Sequence, residues 1–321
     1  MSITFRQLKI FAVVAETNQV TRASKQLELT QSAVSMALAE LENQLGGPLF
    51  DRHGRSLLLN DRGRYLLPHA RDMLHRASVV EAVLTGRQDA VAGVLHIVAS
   101  TTLGNYVLPY LMGAFMRKYP EAHINMLVVN TLQTERLVAK GQADLGFIEG
   151  DINVECLVAT PWFADEMCII VGPQHPLAGQ KSFRIPGDLK KTSWVMREEG
   201  SGTAEFFSKR LGRHARSLNV ITRTGYTEAI KKEVEVGVGA ACLSRLTVAR
   251  EVEAGWLRLL DIEGINKSRQ FWFIQHEDKV VTRLMAEFLR FCENAVQKQL
   301  DTATLSSPWK LQALLDAQPQ G

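Results

Sequence analysis

At Gly93 the character of the chain changes. Upstream, apolar residues recur every three or four positions. Downstream, short and almost unbroken apolar runs alternate with helical stretches. "VLHIVAS", "INMLVVN" and "ADLGFIEG" read as strands, separated by the helical "TTLGNYVLPYLMGAFMRKYP" and "TLQTERLVAKG". A second set follows in "EMCIIVGP", "SWVMREEGSGTAEFFSKRL" and "LNVITRTGYTEAIKKEVEVGVGAACLSRLTVAREV", and "QFWFIQHEDKVVTRLMAEFLRFCENAVQ" adds a strand and a last helix. Such runs predict parallel sheets covered on both faces. Two similar α/β halves imply a cleft, with the chain crossing near Phe163 and near Asn266 and the last helix returning to the first half. A chain of 321 residues has room for this and a smaller domain.

The first sixty residues predict that smaller domain. Phe5, Leu8, Phe11, Ala12 and Ala15 mark one amphipathic helix, broken at Asn18 and Gln19. A second helix is expected from Thr21, as N-cap, to Leu27, burying Ala23 and Leu27. Thr30 caps a third that begins at Gln31. There Val34, Leu38, Leu41 and Leu45 share a face, leaving Gln31, Ser32, Ser35, Met36 and Ala39 for a partner. This is a helix-turn-helix pattern, whose last helix enters the major groove with its N-terminal part. Gln, Ser and Thr can hydrogen-bond base edges, and Ala33 can pack near a thymine methyl. Gly46, Gly47 and Pro48 end the helix. "LFDRHGRSLLLN" reads as a wing around His53-Gly54 whose arginines can reach phosphates. The plainer alternative is a helical bundle with a polar surface helix.

From Arg62 to Asp89 the pattern is helical, and Leu66, Ala70, Met73, Ala77, Val80 and Leu84 form an a/d seam. The seam suits an antiparallel helix pair in a dimer; the alternative is a lone helix packed on its own chain. Pro68 should sit near the first turn or bend the helix. Thr85 to Gly93 is the expected hinge.

"FRQLKIFAVVAE", "TRASKQLELTQSAVSMALAELENQLGGPLFDR" and "LNDRGRYLLPHARDML" resemble the N-terminal winged helix-turn-helix and linker of LysR-type transcriptional regulators, from Ile3 to about Leu84. That resemblance implies double-stranded DNA as partner. It places Gln31, Ser32 and Ser35 in the groove and Arg22, Arg52, Arg55 and Arg62 nearer the backbone; Thr30 and Ala33 complete the expected DNA-binding set. It also implies a homo-oligomer, a dimer or the tetramer common in the family. "STTLGNYVLP", "GFIEG", "REEGSGT" and "TEAIKKEVEVGVGAACLSR" are similar to the family's two-lobed effector domain, with the fold of periplasmic solute-binding proteins. They resemble most the YeiE-type branch and, more distantly, regulators of cysteine biosynthesis and carbon fixation. The likeness runs to about Gln297. The expected division is a DNA-binding domain over 1–60, a linker and hinge over 61–92, one lobe over 93–163 with 267–300, and a second over 164–266. A tail over 301–321 has one short amphipathic piece, Trp309 to Leu315.

The cleft holds the candidate ligand residues. Ser100, Thr101 and Thr102 lie between a strand end and a helix start, where ligands of open α/β sheets gather. Backbone N–H groups and the helix dipole favour an anion there. Ser201, Gly202 and Thr203 repeat the arrangement, and Thr131 is a third helix start. The competing reading is that each hydroxyl is only a cap. Glu149 would repel an anion unless paired, and Arg197 is the expected partner; otherwise Glu149 is a surface-loop residue. A small oxyanion or carboxylate suits the pattern, and the resemblance to sulfur-metabolism regulators points to sulfite or sulfate.

Other classes are excluded or disfavoured. The net charge of +3 says little about partners. Cys156, Cys168, Cys242 and Cys292 form no CxxC pair and read as buried thiols in a reducing compartment. His96, His123 and His175 have no metal-site spacing, so no metal or cofactor is expected. No GxSxG, HExxH or GxxxxGK occurs, which argues against an enzyme. No signal peptide or membrane span is legible, and a cytoplasmic protein is expected.

Overall fold

A computed structural model describes residues 3–53, 56–84, 91–150, 152 and 154–302. Two compact units emerge, Met1–Ala90 with Lys140–Gln142, and Val91–Ala139 with Ala143–Gly321. The first carries α1 (Phe5–Thr17), α2 (Val20–Gln26), α3 (Gln31–Gln44), β1 (Phe50–His53), β2 (Ser56–Leu59) and α4 (Asp61–Leu84).

Local signals start and stop these helices. A capping box between Thr4 and Gln7 opens α1, and left-handed Asn18 (φ 54°) closes it. The Thr30 hydroxyl accepts the Ala33 N–H at 3.2 Å to open α3. The second helix departs from expectation. It begins at Val20 with Gln19 at the N-cap, so Thr21 lies inside it, and Leu27 is only half-buried. Phe11, Val14, Val34, Leu38 and Leu41 form the core with Leu49 and Phe50 of the wing. β1 and β2 pair antiparallel, Phe50 opposite Leu59.

In α4, Leu66, Ala70 and Leu74 pack onto this same core. The near part of the expected seam therefore covers its own chain, while Met73 stays 51% exposed. Pro68 lies well inside the helix rather than in its first turn. The side chains of Arg52, Val80 and Leu84, residues Gly54 and Arg55, the hinge over 85–90 and the tail with Trp309 to Leu315 lie outside the described residues.

The second unit carries β3 (Gly93–Ser100), α5 (Thr101–Tyr106), α6 (Leu108–Lys118), β4 (Ala122–Val129), α7 (Thr131–Ala139), β5 (Leu145–Glu149) and β6 (Leu157–Val171). It continues with β7 (Ser182–Arg184), β8 (Ser193–Arg197), α8 (Gly202–Leu211), β9 (Asn219–Thr224), α9 (Thr227–Glu235), β10 (Ala241–Ser244), α10 (Arg245–Glu253), β11 (Arg258–Glu263), β12 (Ser268–His276) and α11 (Arg283–Thr302).

The main sheet runs β4-β3-β5-β12-β6-β11-β7, with β10 also on β6 and a separate parallel pair β8-β9. β3, β4 and β5 are parallel, but β12 is antiparallel to both β5 and β6. The sheet is thus mixed, not parallel as the apolar runs suggested. The reason is connectivity: β6 carries the chain out of the first lobe and β12 brings it back, so the two must oppose. β6 pairs with β12 from Leu157 to Glu166, then with β10 and β11 from Met167 to Val171. One strand thereby serves both lobes.

Each lobe has its own core. Phe115, Phe147, Phe271 and Phe288 pack in the first, and α11 returns there through Phe288, whose ring centroid lies 5.1 Å from that of Phe115. Trp194, Phe183 and Phe207 centre the second. Cys168, Cys242 and Cys292 are buried, whereas Cys156 is half-buried; burial pushes the Cys168 thiol up to about 12. Among the described residues no helix is long and apolar enough to cross a membrane.

Candidate functional site

The lobes meet at a polar cluster built from strand ends and helix starts. β3 ends at Ser100 and α5 begins at Thr101, β5 ends at Glu149, β8 ends at Arg197, and α8 begins at Gly202. Every candidate side chain here is under 10% exposed: Ser100, Thr101, Thr102, Thr131, Glu149, Arg197, Ser201 and Thr203. Residues far apart in sequence thus share one desolvated volume.

The cap reading of the hydroxyls can be judged bond by bond. Ser244, at the start of α10, does cap: it accepts the Leu246 N–H at 3.1 Å. Ser100 and Ser201 occupy N-cap positions yet make no capping bond. Ser100 donates instead to the Glu149 carboxylate. The Ser201 hydroxyl, 2% exposed, has no hydrogen-bond partner among the described residues. A buried hydroxyl left so is costly and uncommon in a folded protein. Thr131 stitches the lobes together by accepting the Gly202 N–H at 3.2 Å. Gly202 has to be glycine, because a Cβ would meet the Glu149 carbonyl oxygen at 2.3 Å.

The expected Glu149–Arg197 pair does not form. Arg197 chelates its neighbour Glu198 through Nε (2.8 Å) and Nη2 (2.9 Å), and donates to Thr101 at 2.9 Å and Thr227 at 3.3 Å. The cation beside Glu149 is Arg269, at 3.8 Å. Arg269 also holds Asp165 at 2.7 Å, Thr203 at 2.9 Å and Thr102 at 3.4 Å. Arg197 stays on neighbouring Glu198 because β8 delivers its side chain toward α5 and α9, while β12 runs beside β5 and delivers Arg269 to Glu149. Burial pushes the Asp165 carboxyl up, against the opposing pull of Arg269 and of Ser244, which donates to it at 2.7 Å. Arg197 and Arg269 bring two positive charges against the three carboxylates of Glu149, Asp165 and Glu198, so the cluster carries a formal excess of one negative charge.

Arg269, Asp165, Thr227 and Ser244 were not among the residues expected from sequence. For Arg269 a signal existed. In "SRQFWFIQH" it stands at the two-residue spacing of Phe271 and Phe273, and all three are buried. For Asp165 none did, since its burial follows from the pairing of β6 with β12.

The first unit presents a second candidate surface. Gln31, Ser32, Ser35 and Met36 are exposed along α3, Met36 by 72%. Thr30 and Ser32 share a hydrogen bond of 3.0 Å, and Ala33 is half-buried. Arg22 is exposed on α2. Arg62 donates to the Leu45 carbonyl at the end of α3, at 2.5 Å.

Comparison with known proteins accords with this two-part layout. Residues 5–64 match the profile of the bacterial regulatory helix-turn-helix protein, lysR family, and residues 88–297 that of the LysR substrate binding domain. The regulator YeiE of Escherichia coli (strain K12) is 37% identical over 298 residues, covering 92% of this chain and 99% of its own. CysL of Bacillus subtilis (strain 168) is 30% identical, covering 91% and 98%. The RuBisCO operon transcriptional regulator of Allochromatium vinosum is 32% identical, covering 91% and 96%. Among solved structures, a full-length OxyR variant from Pseudomonas aeruginosa superposes with a TM-score of 0.71 at 16% identity, covering 92% of this chain and 95% of that one. CbnR complexed with its target DNA gives 0.62 at 20% identity, covering 91% and 100%. The regulatory domain of CcmR from Synechocystis PCC6803, in complex with 2-PG, gives 0.60 at 27% identity, covering 64% and 99%.

Proposed function

This chain belongs to the LysR family of ligand-responsive, DNA-binding transcriptional regulators, and we propose that its effector is a small oxyanion that still carries a proton, bound at the polar cluster between the lobes. The observation that carries the proposal is the pair of helix-start serines, Ser100 and Ser201, neither used as a cap and one without any partner among the described residues. Around them Thr102 and Thr203 accept from the Arg269 guanidinium and, like Ser100, donate to Glu149, so hydroxyls and a cation converge on one carboxylate. Such groups replace the hydration of an anion in a site closed to water.

Glu149 decides between anions. A carboxylate among these donors repels a fully deprotonated oxyanion but accepts a hydrogen bond from one that keeps a proton. A buried acceptor left unmatched rejects a ligand strongly. Sulfite in its hydrogen-bearing form fits this rule and sulfate does not. The resemblance of the effector-domain motifs to regulators of cysteine biosynthesis favours a sulfur oxyanion. A hydroxyl-bearing organic acid satisfies the same rule and is the second reading.

DNA is engaged through α3, with Gln31, Ser32 and Ser35 toward base edges, in a two-fold homo-oligomer that reads paired half-sites. Effector acts only through its differential affinity for two lobe arrangements. The test is a thermal-shift series on the full chain with sulfite, sulfate and glycolate. Sulfite should raise the melting temperature, sulfate should not, and Ser100→Ala with Thr102→Ala should abolish the rise while ligand-free DNA affinity persists. A double variant that responds as the wild type does would remove the cluster from consideration.

A further inference from the structure

The polar cluster is shut, so a ligand can enter or leave only when the lobes part. A second inter-lobe contact lies beside it. Tyr106, the last residue of α5 in the first lobe, donates its hydroxyl to Glu228 in the first turn of α9 in the second. Lys231, one turn further along α9, places its ammonium 5.3 Å from the centre of the Tyr106 ring. That lysine is 3% exposed and is held by Glu228 at 2.8 Å, Glu251 of α10 at 2.7 Å and the Thr247 carbonyl at 2.9 Å. Its three donors are thereby used, and its positive charge rests on the tyrosine ring. Tyr106 is gripped at both its edge and its face.

Arg197 connects this contact to the cluster. Its guanidinium donates to Thr101, where α5 starts, and to Thr227, where α9 starts. The two helices are therefore joined twice, once by Arg197 at their starts and once by Tyr106 and Glu228. A buried lysine on α9, already oriented by α10, makes the second joint stiff.

We propose that Tyr106, Glu228 and Lys231 form the latch that sets how often the closed lobes open, making Tyr106 a positioning residue for effector exchange that does not touch the effector. The part of this concerning exchange rests on the cluster being the effector site; the latch itself does not. The expected signature is kinetic. If the latch holds both the free and the bound form closed, loosening it speeds entry and release together and changes affinity much less.

The experiment compares full-length wild type with Tyr106→Phe, which keeps the ring and deletes the hydroxyl. Backbone hydrogen exchange should accelerate in both 101–107 and 227–235, with DNA affinity unchanged. Sulfite dissociation should become about tenfold faster, as expected for loss of one hydrogen bond to a charged acceptor. In a double-mutant cycle, Tyr106→Phe and Glu228→Ala should combine less than additively, because both remove the Tyr106–Glu228 bond while only the second also loses the contact with Lys231. Unchanged exchange in either segment, or fully additive effects, overturns the latch. Accelerated exchange with no sulfite binding in wild type leaves the latch standing and sinks the effector reading instead.

Discussion

Arg269 Nε lies 2.7 Å from Asp165 Oδ2, and both side chains are 1% exposed. The strand leaving the first lobe is thus ion-paired to the strand returning to it. Breaking a buried pair leaves an uncompensated charge, whereas removing both partners costs far less. Arg269→Met should therefore lower the stability of the full chain by about 3–5 kcal/mol in urea denaturation. Adding Asp165→Asn should recover part of that loss. A fully stable Arg269→Met protein would mean that the pair is not what holds the two strands together.

Ser201 offers a test that separates structure from binding. Its hydroxyl is buried without a partner among the described residues, so Ser201→Ala should leave stability unchanged or raise it by up to about 1 kcal/mol. The same variant should weaken the thermal response to sulfite. An alanine variant that unfolds more readily while responding normally would show that the hydroxyl is structural.

On α3, Ser35 is exposed, so Ser35→Glu should fold normally. It should bind a promoter fragment at least about tenfold more weakly, the cost of one lost base contact plus phosphate repulsion. Arg62 needs a different assay, because it donates to the Leu45 carbonyl. Arg62→Ala should cost about 1 kcal/mol of stability through that carbonyl. If Arg62 also meets a phosphate, the slope of log affinity against log salt should fall by about 1. An unchanged slope would confine Arg62 to holding the end of α3.

Asp188 should govern acid sensitivity in the second lobe. A hydrogen bond from Lys191 at 2.6 Å, with the Arg184 N–H at 2.9 Å, holds its carboxyl below the usual carboxylate range. With the folded pKa depressed, the stabilisation is complete above the unfolded value of about 3.9 and is lost as pH falls below it through the folded value. Asp188→Asn should flatten that part of the pH–stability curve. Asp165 has the opposite sign: raised by burial, its contribution is complete at low pH and is lost as pH rises through the folded value. Melting temperatures of Asp188→Asn and of Asp165→Asn as single variants, measured between about pH 3 and about pH 7 beside the wild type, check the two directions.

The helix-turn-helix, the wing and the α/β alternation were legible because their causes are local. Thr30 caps α3 through an atom three residues away, and the buried face of α3 repeats with the helix turn. Where local signals gave out, reading failed. Thr21 reads as the cap of α2, but the helix starts at Val20 after Gln19, which makes no side-chain capping bond to signal it. The seam of α4 was correctly apolar, but periodicity cannot say whose core it covers; Leu66 and Ala70 cover their own.

Of the candidate ligand cluster, residue types and chain positions came from the sequence alone: hydroxyls at helix starts, glycines for close approach, an acid after a strand. Which charge answers which was decided only in three dimensions. A guanidinium reaches whatever the neighbouring strand offers, and strand neighbours are set by the whole sheet. β12 lies beside β5 and β6, so Arg269 meets Glu149 and Asp165 while Arg197 turns to Glu198. Pattern along the chain determines which faces are apolar and where helices begin; only the folded sheet determines which distant charges share a volume without water.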